Sequence, residues 1–222
     1  MTKQLTIDAA VSMIKDSSSL MIGGFLGCGA PESLISEIIK RGIKDLHIIG
    51  NDTGFPDKGC GRLVAAGLVK KVTVSHIGTN PETIRLMNEG KLEVELVPQG
   101  TLAEKIRAAG AGLGGILTPT GIGTEVENSK KKVTIKEKEY LVEEALKADF
   151  ALLKAYKADE YGNLTYRLTA QNFNPLMATA SKTVIAEIEE IVDLGDIKPD
   201  SIVTPHVFVD FIVKALEVKE DD

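Results

Sequence analysis

The chain has 222 residues, 43% of them hydrophobic, with a net charge of -6, no tryptophan and two cysteines, Cys28 and Cys60. That length and apolar content suffice for one buried core, so residues 1–222 are expected to form a single domain. The acidic balance and the shortage of aromatic rings argue against a nucleic-acid partner. No apolar run reaches the length of a membrane span and the first residues read as an amphipathic helix, not a signal peptide, so a cytoplasmic protein is expected. Cysteines remote in sequence from His47, His76 and His206 predict neither a disulfide framework nor a metal site.

Residues 6–15 put Ile7, Val11 and Ile14 on one helical face, with Thr6 able to cap it. The run Leu20, Met21, Ile22 predicts a buried strand. It breaks into a loop carrying Gly23, Gly24, Gly27 and Gly29 before Pro31 opens an amphipathic helix ending at Gly42. Glycines let the backbone turn and leave amides free to meet an anion near a helix N-terminus. Gly23, Gly24, Phe25, Leu26, Gly27, Cys28 and Gly29 are therefore a candidate binding cradle, with a turn that merely packs strand on helix as the plain alternative. The loop lacks the Gly-Lys-Ser/Thr ending of a P-loop. Glu32 stands where the third glycine of G-x-G-x-x-G would fall, although Asp52 sits where a ribose-binding acid would.

Residues 45–50 predict a second strand ending in Asn51, and residues 58–69 a short helix. A third strand over 71–77 leads into a helix running to Gly90. A fourth over 92–97 is followed by Pro98 and Gln99, which open a helix to about Ala109. Four β-α repeats predict an α/β fold, a mostly parallel sheet with helices on both faces. Such sheets hold ligands beyond the C-terminal ends of their strands. Asn51 and Gln99 therefore join the glycine loop as candidates, against ordinary turn chemistry.

A second glycine-rich region spans 109–124, and residues 125–139 are strongly charged, with Lys130, Lys131 and Lys132 consecutive; the plain reading is a solvated hairpin or excursion. Residues 140–145 and 150–155 are predicted strands, 159–163 a turn with Gly162 and Asn163 in hairpin positions, and 164–167 a continuation of the sheet, giving additional mixed strands in the C-terminal half. Residues 176–180 predict a small helix, 183–186 a final central strand, 207–216 a C-terminal helix and 217–222 a frayed tail. His47 and His76 fall in strand patterns as core or edge residues and His206 at a helix start. Cys28 has no histidine companion and no nucleophile elbow exists, so the residues by themselves identify no catalytic group.

Residues 16–31 (DSSSLMIGGFLGCGAP) resemble the α-subunit signature of family I coenzyme A transferases: an acidic or amide residue, a small residue, three apolar residues, then G-G-F-x-x-x-G-x-P. Ser17 departs from the Gly or Asn of that pattern. The resemblance continues through residues 51–54, 75–82, 97–102, 110–115, 117–121 and 171–175, nearly the whole chain, and looks most like the acetate/acetoacetate or butyrate/acetoacetate enzymes. It implies a subunit that helps move CoA between short-chain carboxylic acids. In that chemistry a glutamate attacks an acyl-CoA thioester, becomes a CoA thioester through an anhydride, and passes CoA to a second acid. The resemblance places that glutamate in a β subunit, in a Glu-Asn-Gly motif; Glu127-Asn128-Ser129 lacks the glycine and is not assigned.

The implied partner is a β subunit in an α2β2 hetero-oligomer, with acyl-CoA and carboxylic acid as substrates. Neither a further cofactor nor a metal is implied, and no catalytic residue is expected in this chain. The amides of residues 23–29 would hold CoA or the oxyanion, and Asn51 and Gln99 would donate side-chain hydrogen bonds to the substrate carboxylate or thioester oxygen. The sharper reading of the Lys130–132 run is contact with CoA phosphates. Competing readings are a stand-alone metabolite-binding or sensor domain of the same fold, and a nicotinamide-binding protein that uses Asp52.

Overall fold

In the computed structural model, which describes residues 3–216, strand β1 (Gln4–Leu5) leads into helix α1 (Ile7–Val11). Thr6 caps α1, its hydroxyl accepting from the Ala9 amide at 3.2 Å. The predicted β-α repeats follow: β2 (Ser19–Ile22), α2 (Glu32–Arg41), β3 (Leu46–Ile49), α3 (Gly61–Ala65), β4 (Val69–Val74), α4 (Pro81–Asn88), β5 (Glu93–Leu96) and α5 (Gln99–Gly110). Helix α2 ends on Gly42 at φ 64°, a left-handed C-cap that side chains resist. Two predicted helices are shorter than their patterns: 6–15 stops being α-helical after Val11, and 58–69 reduces to α3.

The chain then leaves the main sheet. Strands β6 (Gly115–Thr118), β7 (Lys132–Ile135) and β8 (Lys138–Glu144) form a small antiparallel sheet in the order β6-β8-β7 beside α5. The charged stretch is largely the β7-β8 hairpin, which turns through Lys136 and Glu137 at φ 48° and 65°. Strand β9 (Ala148–Asp159) re-enters the main sheet, and β10 (Leu164–Thr165) folds back antiparallel on its end. Helix α6 (Asn174–Ala178), β11 (Ser181–Val192) and β12 (Phe211–Lys214) complete the fold.

At the C-terminal end one sequence expectation holds in part and one fails. Residues 183–186 do lie in a central strand, β11, but it is three times as long as expected and one more strand follows it. The helix expected over 207–216 is a 3-10 turn, His206–Phe208, followed by β12, which pairs in parallel with β11 (Ile185 opposite Phe211) and with β1. The run VFVDFIV is mostly β-branched and aromatic, and an open sheet edge beside β11 rewards extension over coiling. The tail expected to fray, 217–222, lies outside the described residues.

The main sheet runs β1-β12-β11-β9-β2-β3-β4-β5, parallel except for β10. Alternate side chains serve its two layers. Leu20 and Ile22 face Leu34, Ile35 and Leu63 on the α1–α4 side, while Met21 and Ile49 face Leu102, Ile106 and Met177 on the α5–α6 side. Strand order reverses between β2 and β9. In an open α/β sheet the ligand crevice is expected beyond the strand ends at that point. Among the described residues no helix is long and apolar enough to cross a membrane.

Candidate active site

The glycine loop leaves β2 at the switch point, yet its amides are mostly engaged. Gly23 donates to Leu152 O (3.0 Å), Gly24 to Asn172 Oδ1 (3.1 Å) and Leu26 to Asp52 Oδ2 (3.0 Å), while Phe25 and Cys28 exchange a pair of bonds across a tight turn. Of the seven expected donors, only those of Gly27 and Gly29 lack an acceptor among the described residues. The space under the loop, lined by Gly24, Asp52 and Cys60, is about 10 Å3, room for no more than a water. The expected run of free amides is therefore corrected to two.

The crevice is filled by residues 168–178. Asn172 also donates to Cys28 O (3.0 Å), and Asn174 donates to Gly29 O (3.1 Å) while accepting from the Lys154 amide (3.0 Å). A Cβ on Gly23 would fall 1.8 Å from Asn174 Oδ1, and one on Gly29 2.6 Å from Ala170 O. These glycines are required by close approach of a clamping segment. The α2 N-terminus behind the loop is filled as well. Pro31 supplies no side-chain cap, and the Glu187 carboxylate from β11, 1% exposed, accepts from Ser33 N (2.8 Å), Leu34 N (3.0 Å) and Ser33 Oγ (3.1 Å) with Lys154 Nζ at 3.2 Å. An internal anion occupies the place where a ligand was expected.

The rim opens on the other side of the switch, across β3, β4 and β5. Asn51, 3% exposed, follows β3; its Oδ1 accepts from Gln99 Nε2 at 2.5 Å, and its Nδ2 donates to Asp52 Oδ2 at 2.6 Å. Ser75, just beyond β4, donates its amide (2.8 Å) and its hydroxyl (2.7 Å) to Asn51 O. The two amide side chains picked from sequence are thus in direct contact, with different standings. Asn51 is buried and committed, whereas Gln99 is exposed and keeps its carbonyl and one N–H for another molecule. Helix α5 starts at Gln99 with no side chain capping it, so the first amides of that helix add donors at the same rim.

Asp52 is the hinge between this rail and the glycine loop. Buried to 5%, its carboxylate accepts from the Leu26 amide, Asn51 Nδ2 and the Gly54 amide (2.7 Å), which commits it to the fold and not to a ribose at the surface. Beneath it the Cys60 thiol donates to Asp52 O at 3.1 Å, and burial, reinforced by the Asp52 charge, pushes that thiol up to about 12. Cys28 is exposed on the loop, its sulfur 3.4 Å from Thr169 Oγ1. His47 lies half-buried in β3 with Nε2 2.9 Å from Thr73 Oγ1; burial, then the nearby Lys71, lowers its pKa below the usual histidine value. His76 is exposed just past β4. The lysine run is mostly spoken for: Lys130 bonds Glu143 (2.9 Å), which buried Lys105 also meets (3.1 Å), and Lys132 pairs with Glu127.

Sequence reasoning overlooked Asn172, Asn174 and Glu187 as shapers of the rim. Glu187 did carry a signal, because an acid set inside the apolar run from Val184 to Ile188 has to find buried donors.

A family model described as Coenzyme A transferase matches residues 4–215. The acetate CoA-transferase subunit alpha of Escherichia coli K12 is 49% identical over 218 residues, 98% of this chain and 99% of its own. The acetoacetyl-CoA:acetate/butyrate CoA transferase alpha subunit of Clostridium acetobutylicum is 50% identical over 203 residues, covering 91% of this chain and 93% of that one. In the crystal structure of the acyl-CoA transferase YdiF apoenzyme from Escherichia coli O157:H7, a chain 26% identical matches with a TM-score of 0.83 over 96% of this chain and 47% of that one, so this chain spans about half its length. The glycine-loop signature, the parallel sheet with its rim of amide side chains, and these end-to-end matches lead to one assignment: the chain belongs to the coenzyme A transferase family.

Proposed function

We propose that this chain is the α subunit of a cytoplasmic CoA-transferase that moves coenzyme A between short-chain carboxylic acids such as acetate, butyrate and acetoacetate, in a hetero-oligomer with a β subunit. The observation that carries this reading is the match to a named acetate CoA-transferase α subunit over 98% of this chain and 99% of that one. The rim agrees with such a division of labour. Its inner carboxylates are committed, Asp52 to three donors and Glu32 to Arg62 (2.8 Å) and the Gly59 amide (2.6 Å). The only Glu-Asn pair, Glu127-Asn128, lies in the excursion with Glu127 bound to the Gly123 amide.

The attacking glutamate then belongs to the partner. Its carboxylate adds to the acyl-CoA carbonyl and expels the CoA thiolate, leaving a mixed anhydride. The thiolate returns to the glutamyl carbonyl and releases the first acid, and the second acid takes the CoA by the same steps in reverse. This chain's part is to hold and to polarise. Asn51 fixes Gln99, whose free N–H meets the oxygen on which negative charge develops or the carboxylate being exchanged, and the unfilled amides at the start of α5 reinforce it. The loop from Gly23 to Gly29 braces that rim and offers Gly27 and Gly29 as its remaining donors.

The test is co-expression with the candidate β subunit and an exchange assay with acetoacetyl-CoA and acetate. Acetyl-CoA should form with ping-pong kinetics in the complex and not with this chain alone. Transfer by the isolated chain would refute the division of labour, and binding without turnover in the complex would favour a sensor.

A further inference from the structure

Beside the glycine loop lies a second turn of the same build. Phe55 and Lys58 bridge as Phe25 and Cys28 do, and the two turns touch, since a Cβ on Gly59 would sit 3.3 Å from Gly27 Cα. Lys58 leaves its turn across Gly27. A Cβ there would fall 2.5 Å from Lys58 Cγ, 2.7 Å from Cδ and 3.0 Å from Cε, so three methylenes of this exposed lysine lie directly over the Gly27 backbone. Many lysines of the chain end on a carboxylate: Lys71 on Glu93 and Glu95, Lys105 and Lys130 on Glu143, Lys154 on Glu187, Lys157 on Glu190, Lys182 on Asp149. The Lys58 ammonium has no hydrogen-bond or ion-pair partner among the described residues.

A long, rotamer-rich side chain is thus laid down along the loop by its stem while its charge stays unanswered. The loop it crosses carries the two amides that also lack acceptors, Gly27 and Gly29, and the exposed Phe25 and Phe55 belong to the same two turns. Asp52 and Glu32 are already bonded within the fold, and the adjacent Asp57 is exposed and forms no ion pair with Lys58 among the described residues.

We propose that Lys58, laid over Gly27, is an anion-binding residue of the exchange site that takes an anionic oxygen of the substrate pair, a CoA phosphate or the acid carboxylate. The inference rests on the transferase reading above. Gly27 sits at φ 80°, a conformation that favours glycine, and the bare backbone this leaves is the surface across which the Lys58 stem runs.

The experiment uses the α/β complex with Lys58→Met, which keeps the stem on Gly27 and removes the charge, and Lys58→Arg, which restores the charge. KM and kcat are measured for acetoacetyl-CoA, for acetoacetyl-pantetheine, which lacks the phosphates, and for acetate. Lys58→Met should raise one KM about tenfold with kcat within about twofold of wild type, and Lys58→Arg should recover most of the loss. A rise with acetoacetyl-CoA that is absent with the pantetheine thioester identifies a phosphate; a rise for acetate identifies the carboxylate. The proposal is overturned if no KM moves by more than about twofold, if both thioesters weaken equally with acetate unchanged, or if the Arg variant is as impaired as the Met variant. A wild-type complex inactive on every substrate strikes the transferase reading instead.

Discussion

Replacing Glu187 with Gln tests the claim that an internal carboxylate, not a ligand, fills the α2 N-terminus. Oε2 receives the Ser33 and Leu34 amides and Oε1 receives Ser33 Oγ and Lys154 Nζ, at 2.8 to 3.2 Å. Glutamine can turn its oxygen to the two amides, and Ser33 can rotate to accept from the new NH2. Lys154 is then left facing a donor, with Glu189 at 3.7 Å as its remaining partner. The expected cost is that of breaking a buried charge pair, about 3 kcal/mol at the low end because Lys154 is itself 16% exposed. For a chain of this size that lowers Tm by roughly 6–12 °C. Thermal and urea unfolding of Glu187→Gln should show this loss, with Glu189→Gln, at a side chain 48% exposed, within about 1 kcal/mol of wild type. If Glu187→Gln unfolds within about 1 kcal/mol of wild type, the helix end is not held by this carboxylate and the case for a filled crevice fails.

Gln99→Ala should lower kcat/KM of the complex at least about tenfold with Tm unchanged, because its side chain is exposed and, among the described residues, bonded only to Asn51. Asn51→Ala should lose activity and also about 1–3 kcal/mol of stability, since it strips partners from Gln99 and buried Asp52; equal Tm losses in the two variants would contradict the roles assigned here. A thiol reagent should modify Cys28 rapidly and Cys60 only on unfolding, because Cys60 is buried with its pKa near 12; two equally fast thiols would contradict the packing under the loop. His47 should titrate below the usual 6.5, followed by NMR of its ring protons. The folded chain then binds fewer protons there than the unfolded chain, so this contribution to stability is present above about pH 6.5 and fades as pH falls below it. His47→Gln should flatten that slope, and a midpoint above 6.5 would refute the assignment.

The first half of the fold was legible because its strands are short apolar runs punctuated by glycine and proline, and three of its helices carry a boundary signal: Thr6 for α1, Gly42 for α2, and Asn80 with Pro81 for α4. The C-terminal half was less so. The segment 207–216 has apolar spacing compatible with a helix, and what makes it a strand is the open edge beside Ile185, supplied by residues distant in sequence. The same holds for β8 and β9, adjacent in the chain, of which one joins the small antiparallel sheet and the other runs parallel between β2 and β11.

The site divides along the same line. Asn51 and Gln99 could be picked out because strand ends in a parallel sheet share one rim, and each was a polar residue at such an end. The glycine loop invited the wrong detail, since four glycines in seven residues are equally what a backbone needs to admit a ligand and to admit another part of the same chain. The choice lies in what arrives: Asn174 at Gly23, the Ala170 carbonyl at Gly29, the Lys58 stem at Gly27. The two contacts from residues 170–174, with the Asn172 and Asn174 hydrogen bonds beside them, turn a flexible-looking loop into a braced wall. A braced wall suits a two-subunit site, because a partner's carboxylate can reach the same thioester carbon on every turnover only if the surface opposite does not give.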